Sequence, residues 1–166
     1  RDGTDRHGRC TTQSISTDPA NRRVVVPGAP ASGKRPLAID APPWNDGWAS
    51  VAEVAKRLQI FAAFPSFLGL GLLIAGEPVA FAFGWGEHWV SGPSFFIKEY
   101  CVATERQRTG LGRALFDELA RRRRAAGYTG IYLQTDPDSA AEAFYGKMGL
   151  RRLDLITLGC GLQEPA

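Results

Sequence analysis

The chain has 166 residues, of which 44% are hydrophobic and 22% are charged, and its formal net charge is +3. This length and composition predict one globular domain, and no apolar run is long enough for a membrane-spanning helix. The first 35 residues hold seven Lys and Arg against three Asp and Glu, so the remainder is close to neutral. The charge pattern therefore favours neither nucleic acid nor a membrane surface as a partner.

The three cysteines are far apart in the sequence. Cys10, Cys101 and Cys160 form no C-x-x-C pair and have no metal-ligand spacing with His7 or His88. This pattern predicts neither a disulfide framework nor a metal site, and it predicts a reducing, cytoplasmic location. A nucleophilic role for Cys101 stays open as an alternative to that of a small buried apolar residue.

The first 40 residues differ from the rest in composition. They are rich in Arg, Gly, Ser, Thr and Pro and show almost no apolar periodicity, which predicts a disordered or divergent N-terminal extension. Within it, residues 28–34 nearly match the phosphate loop of nucleoside triphosphatases, but Arg35 stands where a Ser or Thr would hold Mg²⁺. Nucleotide binding there is one alternative function. The folded domain is predicted over residues 41–162.

Apolar periodicity beyond residue 40 predicts alternating helices and strands. In chain order they are a helix over 48–59, strands over 67–74, 78–85 and 94–102, a helix over 111–126, a strand over 128–134, a helix over 137–148 with Asp136 as its N-cap, and a strand over 150–162. Because residues 94–102 are apolar on both faces, that strand is predicted to be central in the sheet.

A glycine-containing turn links the predicted central strand to the helix that follows it. Residues 107–112 read Q-x-x-G-x-G, and a turn at a helix N-terminus leaves backbone N–H groups free to bind a phosphate or diphosphate. Gly110 and Gly112 allow an anion to approach the backbone, and Arg108 and Arg113 add positive charge. The alternative is a turn in which glycine serves geometry alone.

A second motif, A-E-A-F-Y-G-K-M-G-L over residues 141–150, follows the next strand. The two motifs together resemble the GNAT superfamily of acetyl-CoA-dependent N-acetyltransferases, in particular the small bacterial aminoglycoside-acetyltransferase-like members. The resemblance implies an α/β (α+β) fold, in which a mixed, twisted sheet with splayed central strands is flanked by helices. It covers residues 41–162 and leaves the first 40 outside.

The resemblance also implies acetyl-CoA as co-substrate. The residues that it places against acetyl-CoA are Cys101 and Val102 at the pantetheine arm, Gln107, Arg108, Thr109, Gly110, Leu111, Gly112 and Arg113 at the diphosphate, and Asp138 where many members have a contacting Asn. Transfer by direct attack of an amine on the thioester requires no nucleophilic side chain.

The resemblance assigns the role of proton donor, and the sequence itself offers candidates for the base. Tyr145 matches the family tyrosine that protonates the departing thiolate, and Glu99 is the favoured base, with Glu87 and Asp136 as alternatives. Each has a structural alternative. Tyr145 would be a core aromatic, Glu99 would pair with Lys98 or an arginine, Glu87 would be a loop carboxylate, and Asp136 would only cap a helix.

The acceptor is predicted to be a primary amine of a small molecule, of aminoglycoside or polyamine type. Trp85, Glu87, Trp89 and Asp136 are the candidate substrate-binding residues, because aromatic rings and carboxylates suit a cation. Ordinary aromatic packing is the alternative for the tryptophans. The predicted function is thus N-acetyl transfer, the alternative is a non-catalytic acyl-CoA-binding module, and a homodimer is left open.

Overall fold

The computed structural model describes residues 11–15, 50–74 and 77–162. The chain divides into two compact units, the first ending at Gln134 and the second beginning at Thr135. The first unit contains β1 (Thr11–Ile15), α1 (Val51–Ala62), β2 (Leu68–Ile74), β3 (Glu77–Trp89), β4 (Gly92–Val102), a 3-10 turn (Thr104–Arg106), α2 (Leu111–Ala125) and β5 (Gly130–Leu133). The second contains α3 (Ala140–Lys147). Within the described ranges, no helix is both long and apolar enough to cross a membrane.

The strands of the first unit form one five-stranded sheet in the order β1-β2-β3-β4-β5. Neighbours from β1 to β4 are antiparallel, and β5 is parallel to β4, so the predicted mixed sheet is confirmed. Strand β1 falls inside the predicted extension of residues 1–40. The rest of that extension, including the phosphate-loop-like residues 28–34, lies outside the described residues, so its boundary stays a prediction.

Strands β4 and β5 pair over only part of their length. The paired residues run from Ser94 with Gly130 to Ile97 with Leu133. Residues 98–102 of β4 continue without a β5 partner in the described part of the chain, while β3 still pairs with residues 99–102 on the other side. The sheet therefore opens between its β4 and β5 strands, as the splayed arrangement predicts.

Strand β3 extends through the aromatic segment around Glu87. It continues to Trp89, which pairs with Gly92 across the tight turn into β4. A bulge places Lys98 of β4 outside the pairing, because Phe83 faces Glu99 and Gly84 faces Ile97. A Cβ on Gly84 would lie 1.8 Å from the carbonyl oxygen of Phe96, so this close approach requires glycine. The loop interpretation of Glu87 is wrong.

The two helices of the first unit pack on opposite faces of the sheet. Arg123 near the end of α2 lies 5.2 Å from the ring centroid of Phe95, whereas Phe61 of α1 stacks on Trp85, which contacts Phe96. Adjacent strand residues point to opposite faces, so Phe95 and Phe96 mark the two sides. The most buried large side chains, Leu70, Phe95, Leu115 and Leu119, supply much of the apolar burial that stabilises the unit.

The second unit begins differently from the prediction. The N-cap of α3 is Ser139, whose Oγ accepts a hydrogen bond of 3.1 Å from the backbone N–H of Glu142. Asp138 has a φ of +59°, a left-handed conformation that cannot belong to the helix, so α3 starts after it. The prediction of Asp136 as N-cap is therefore wrong. The predicted end at Gly149, with φ +89°, is confirmed.

The final strand predicted over residues 150–162 does not form. Residues 151–162 contain neither helix nor strand. The alternating apolar side chains are exposed, with Leu155 at 78% and Ile156 at 83%. Alternation produces a strand only when a neighbouring strand satisfies its backbone and a core covers one face, and the described residues supply neither.

Candidate active site

The loop over residues 107–112 has an open, anion-binding geometry. Gly110 is the N-cap of α2 with φ +88°, and Arg108 two residues earlier is also left-handed at φ +61°. In the part of the chain that the structure describes, no side chain caps α2, and helix geometry leaves the first-turn N–H groups without an intrahelical partner. Among the described residues, no heavy atom lies within 4 Å of a Cβ built on Gly110, so the space directly beside that residue is open.

Two hydrogen bonds hold this loop against the open end of β4, and a third lies within the loop. The Tyr100 hydroxyl donates to the carbonyl oxygen of Gly112, and the Gln107 amide nitrogen donates to the carbonyl of Val102 at 3.2 Å. Within the loop, the Thr109 hydroxyl donates to the backbone carbonyl oxygen of Arg106 at 2.6 Å. The side chains of Gln107 and Thr109 therefore shape the loop. The open amides and the unpaired strand end thus lie beside each other, as an elongated ligand with a diphosphate would require.

A carboxylate surrounded by aromatic rings lies on the face of the sheet that α1 covers. Glu87 of β3 accepts hydrogen bonds from the indole N–H of Trp85 at 3.0 Å and from the hydroxyl of Tyr132 on β5. The Tyr132 ring contacts Phe96 and Trp89, with centroids 5.0 and 6.4 Å apart. The structure therefore brings together three of the four predicted substrate-binding residues, Trp85, Glu87 and Trp89.

Glu99, the favoured base, lies on the same face but forms an ion pair. Its carboxylate is 2.5 Å from the Arg57 guanidinium of α1, and both side chains are about one quarter exposed. The structural alternative for Glu99, pairing with an arginine, is therefore present. A carboxylate in such a pair accepts a proton only at the cost of that interaction.

The family model for the acetyltransferase (GNAT) family matches residues 36–150, more than half of the chain. The chain belongs to that family. As a GNAT acetyltransferase, the protein is an acyltransferase that uses acetyl-CoA. No curated protein sequence matches the chain.

Solved structures share the fold of this GNAT acetyltransferase at low sequence identity. An aminoglycoside acetyltransferase from an uncultured soil metagenomic sample, in complex with trehalose, has a TM-score of 0.69 and 15% identity over 93% of this chain and 97% of its own. Another from an uncultured soil metagenomic sample has a TM-score of 0.67 and 19% identity over 93% and 99%. AAC(6')-Iy in complex with the bisubstrate analogue CoA-S-monomethyl-acetylneamine has a TM-score of 0.58 and 13% identity over 68% and 81%.

Cys101 of the GNAT domain is poorly suited to act as a nucleophile. Burial, with a smaller contribution from the charge of Glu99, raises the pKa of its thiol to about 11. Only the thiolate attacks a thioester efficiently, so the raised pKa disfavours attack by Cys101 at neutral pH. Direct attack by the amine needs no such group.

The remaining predicted residues belong to the second unit. Tyr145 is on α3, half-buried, with its ring edge-on to Phe144 at 5.2 Å. Arg152 donates to Asp138 at 2.7 Å and also pairs with Glu142. The side chain of Asp138 is thus engaged within its own unit, and Asp136 is exposed.

Sequence reasoning missed Arg57, Tyr132 and Ser66. Ser66 precedes β2, and its hydroxyl donates to the carbonyl of Gly86 at 2.9 Å while accepting from the Gly86 N–H at 3.0 Å. It thereby fixes the β3 backbone between Trp85 and Glu87. Each of the three contacts a residue that is distant in the sequence, either across strands or between helix and sheet. The only signal in the sequence was the alternation that places Tyr132 on one face of β5.

Proposed function

We propose that this acetyltransferase moves the acetyl group of acetyl-CoA to a primary amine of a small cationic molecule, of aminoglycoside or polyamine type. The observation that carries the proposal is the loop of residues 107–112, whose open helix-terminal amides lie beside the unpaired end of β4. A helix N-terminus with free N–H groups binds phosphate, and an unpaired strand offers hydrogen bonds to an amide-containing arm.

Different parts of the chain bind the diphosphate and the pantetheine arm of acetyl-CoA. The amides of residues 107–112 bind the diphosphate, with Arg108 and Arg113 as neighbouring positive charges. The backbone of Cys101 and Val102 hydrogen-bonds the pantetheine arm. Asp138 is a weaker candidate for a contact, because Arg152 already occupies its carboxylate. Bound acetyl-CoA supplies the thioester that the acceptor amine attacks.

The reaction forms one bond and breaks one. The amine nitrogen attacks the thioester carbonyl carbon, a C–N bond forms, and the C–S bond breaks. The nitrogen loses a proton and the sulfur gains one. Tyr145 is the proposed donor to the sulfur. Glu99 is the proposed base, and it acts once its ion pair with Arg57 has opened.

The carboxylate of Glu87 among aromatic rings supports a cationic acceptor. Trp85 and Trp89 lie on the same face of β3 as Glu87, where rings and a carboxylate together attract an ammonium group. Asp136 remains a further candidate for acceptor binding. Aminoglycoside acetyltransferases among the structural neighbours, one of them bound to a bisubstrate analogue that contains acetylneamine, support this acceptor class.

The ion pair of Glu99 also supports a second candidate, an acyl-CoA-binding module without turnover, because it occupies the favoured base. Two measurements separate the candidates. Calorimetric titration with CoA and acetyl-CoA tests binding, and release of free thiol with a panel of amines tests transfer. Binding with transfer supports the enzyme, and binding alone supports the module. Absence of binding to folded protein overturns both.

A further inference from the structure

Glu87 is held by two neutral donors that come from different strands. Trp85 is two residues away on β3, and its indole N–H reaches one carboxylate oxygen, Oε1. Tyr132 comes from β5, and its hydroxyl donates to the other oxygen, Oε2. A carboxylate offers about four lone-pair sites, so two donors fix its orientation and leave acceptor capacity unused.

We propose that Tyr132 is a positioning residue for the acceptor: together with Trp85 it holds the carboxylate of Glu87 so that the remaining lone pairs receive the ammonium group. This inference rests on the proposed function and names how that site selects a cation. Tyr132 touches Glu87 and acts through it.

The charges around Glu87 favour this role. Within the described ranges, Glu87 has no ion pair, and both of its donors are neutral. Burial, followed by the neighbouring Glu87, raises the pKa of Tyr132 above its ordinary value, so the hydroxyl keeps its proton and remains a donor. A half-buried negative charge without a cationic neighbour attracts one from solution.

The surroundings keep this arrangement rigid. The Tyr132 ring packs against Phe96, and Trp85 is stacked on Phe64 with centroids 4.8 Å apart. Ser66 hydrogen-bonds both backbone groups of Gly86, which is adjacent to Glu87. Recognition groups placed on strands and locked by packing need little reordering when a ligand binds.

The test is the Tyr132→Phe variant, with spermidine and neamine as acceptors and thiol release as the assay. We expect the KM for the amine to rise about 5- to 10-fold, because Glu87 loses one of the two hydrogen bonds that orient it but can still meet the ammonium group directly. The KM for acetyl-CoA and kcat should each stay within about threefold, since neither the cofactor site nor the reacting atoms are touched. The Trp85 indole N–H resonance, assigned with Trp85→Phe, should shift as Glu87 moves.

Tyr128→Phe is the matched control. Tyr128 is also a half-buried tyrosine beside β3, but it packs on the opposite face, edge-on to Phe95. It should leave both KM values and the Trp85 resonance unchanged. An amine KM for Tyr132→Phe within twofold of wild type, or an equal rise in Tyr128→Phe, overturns the inference.

The inference and the proposed function fail in different ways. If wild type acetylates the amines and Tyr132→Phe does so with an unchanged amine KM, only the inference is wrong. If wild type acetylates neither amine, the proposed function is wrong. Calorimetric affinities for spermidine and neamine then decide the inference. Weaker binding by Tyr132→Phe than by wild type supports it. Equal affinities of the two proteins, or no binding by wild type, overturn it. Should Tyr132→Phe fail to fold, the near-isosteric Glu87→Gln variant takes its place and should raise the amine KM at least as much.

Discussion

Replacing Gly110 with alanine should separate cofactor binding from folding. Gly110 has φ +88°, a conformation that costs an L-residue about 1–2 kcal/mol. Gly127, just beyond the other end of α2, has φ +83° and is the matched control. A Cβ meets nothing within 4 Å at either position, so neither variant creates a clash. Both should therefore lower the free energy of unfolding by a similar amount.

Only Gly110→Ala should weaken CoA binding. The new methyl group projects beside the amides proposed to bind the diphosphate, and relief of the backbone strain rotates those amides. Loss of one hydrogen bond to a charged group costs about 2 kcal/mol, which corresponds to about 30-fold weaker binding. Gly127→Ala should bind CoA within about twofold of wild type, since it lies at the far end of the helix.

Calorimetric titration with CoA and with pantetheine provides the assay. Pantetheine lacks the diphosphate, so its affinity should be the same for wild type and Gly110→Ala. Circular dichroism confirms that each variant is folded. A folded Gly110→Ala protein that binds CoA as tightly as wild type would refute the assignment of the diphosphate to residues 107–112.

Three further predictions concern the scaffold. Hydrogen bonds from Arg121 and Arg122 lower the pKa of Glu118 from 4.5 to about 2, so their stabilisation is present above pH 4.5 and is lost as the pH falls towards 2. In urea unfolding, Glu118→Gln should lower the free energy of unfolding by about 1 kcal/mol at pH 7 and by almost nothing near the folded-state pKa. The control variant at the more exposed Asp117, Asp117→Asn, should lower it less. An equal loss for Glu118→Gln at both pH values would contradict the prediction. With Cys10 and Cys160 replaced by Ser, Ellman's reagent should modify Cys101 slowly at pH 7 and faster towards its pKa of about 11, and rapid modification at pH 7 would disprove the assignment. Gly86→Ala places a Cβ 2.0 Å from the Tyr128 hydroxyl oxygen and should lower the free energy of unfolding by about 1–3 kcal/mol. Gly146→Ala in α3, where the described residues leave open space around the Cβ, should be neutral or stabilising. A similar loss of stability in both variants would argue against the contact.

Local patterns predicted most of the scaffold. The 3.6-residue periodicity that ends at Gly127 predicted α2 to within one residue, and apolar runs predicted β2 and β4 closely. These elements depend mainly on neighbours in sequence and on burial of one face or both. The glycine turn was also visible, because its spacing between a strand and a helix is local.

The organisation of the candidate site depends on pairing between strands, which the sequence does not display. Trp85, Glu87 and Trp89 lie on one face only because β3 continues to Trp89, four residues beyond its predicted end. Tyr132 reaches Glu87 because β5 pairs with β4 in a register that places Tyr132 beside Phe96. A shift of that register by one residue would turn Tyr132 to the other face.

The two carboxylates on this face differ in their partners, and this difference separates their chemistry. Glu99 is neutralised by Arg57, so the pair presents little net charge to a cation, and proton transfer to Glu99 requires the pair to open. Glu87 accepts only from the neutral Trp85 and Tyr132 in the described part of the chain, so its charge remains available. An approaching ammonium therefore gains more from Glu87 than from Glu99. It follows that Glu87→Gln should chiefly raise the amine KM, whereas Glu99→Gln should chiefly lower kcat if Glu99 is the base. If Glu99→Gln keeps full kcat across the pH range, the proton must leave by another route.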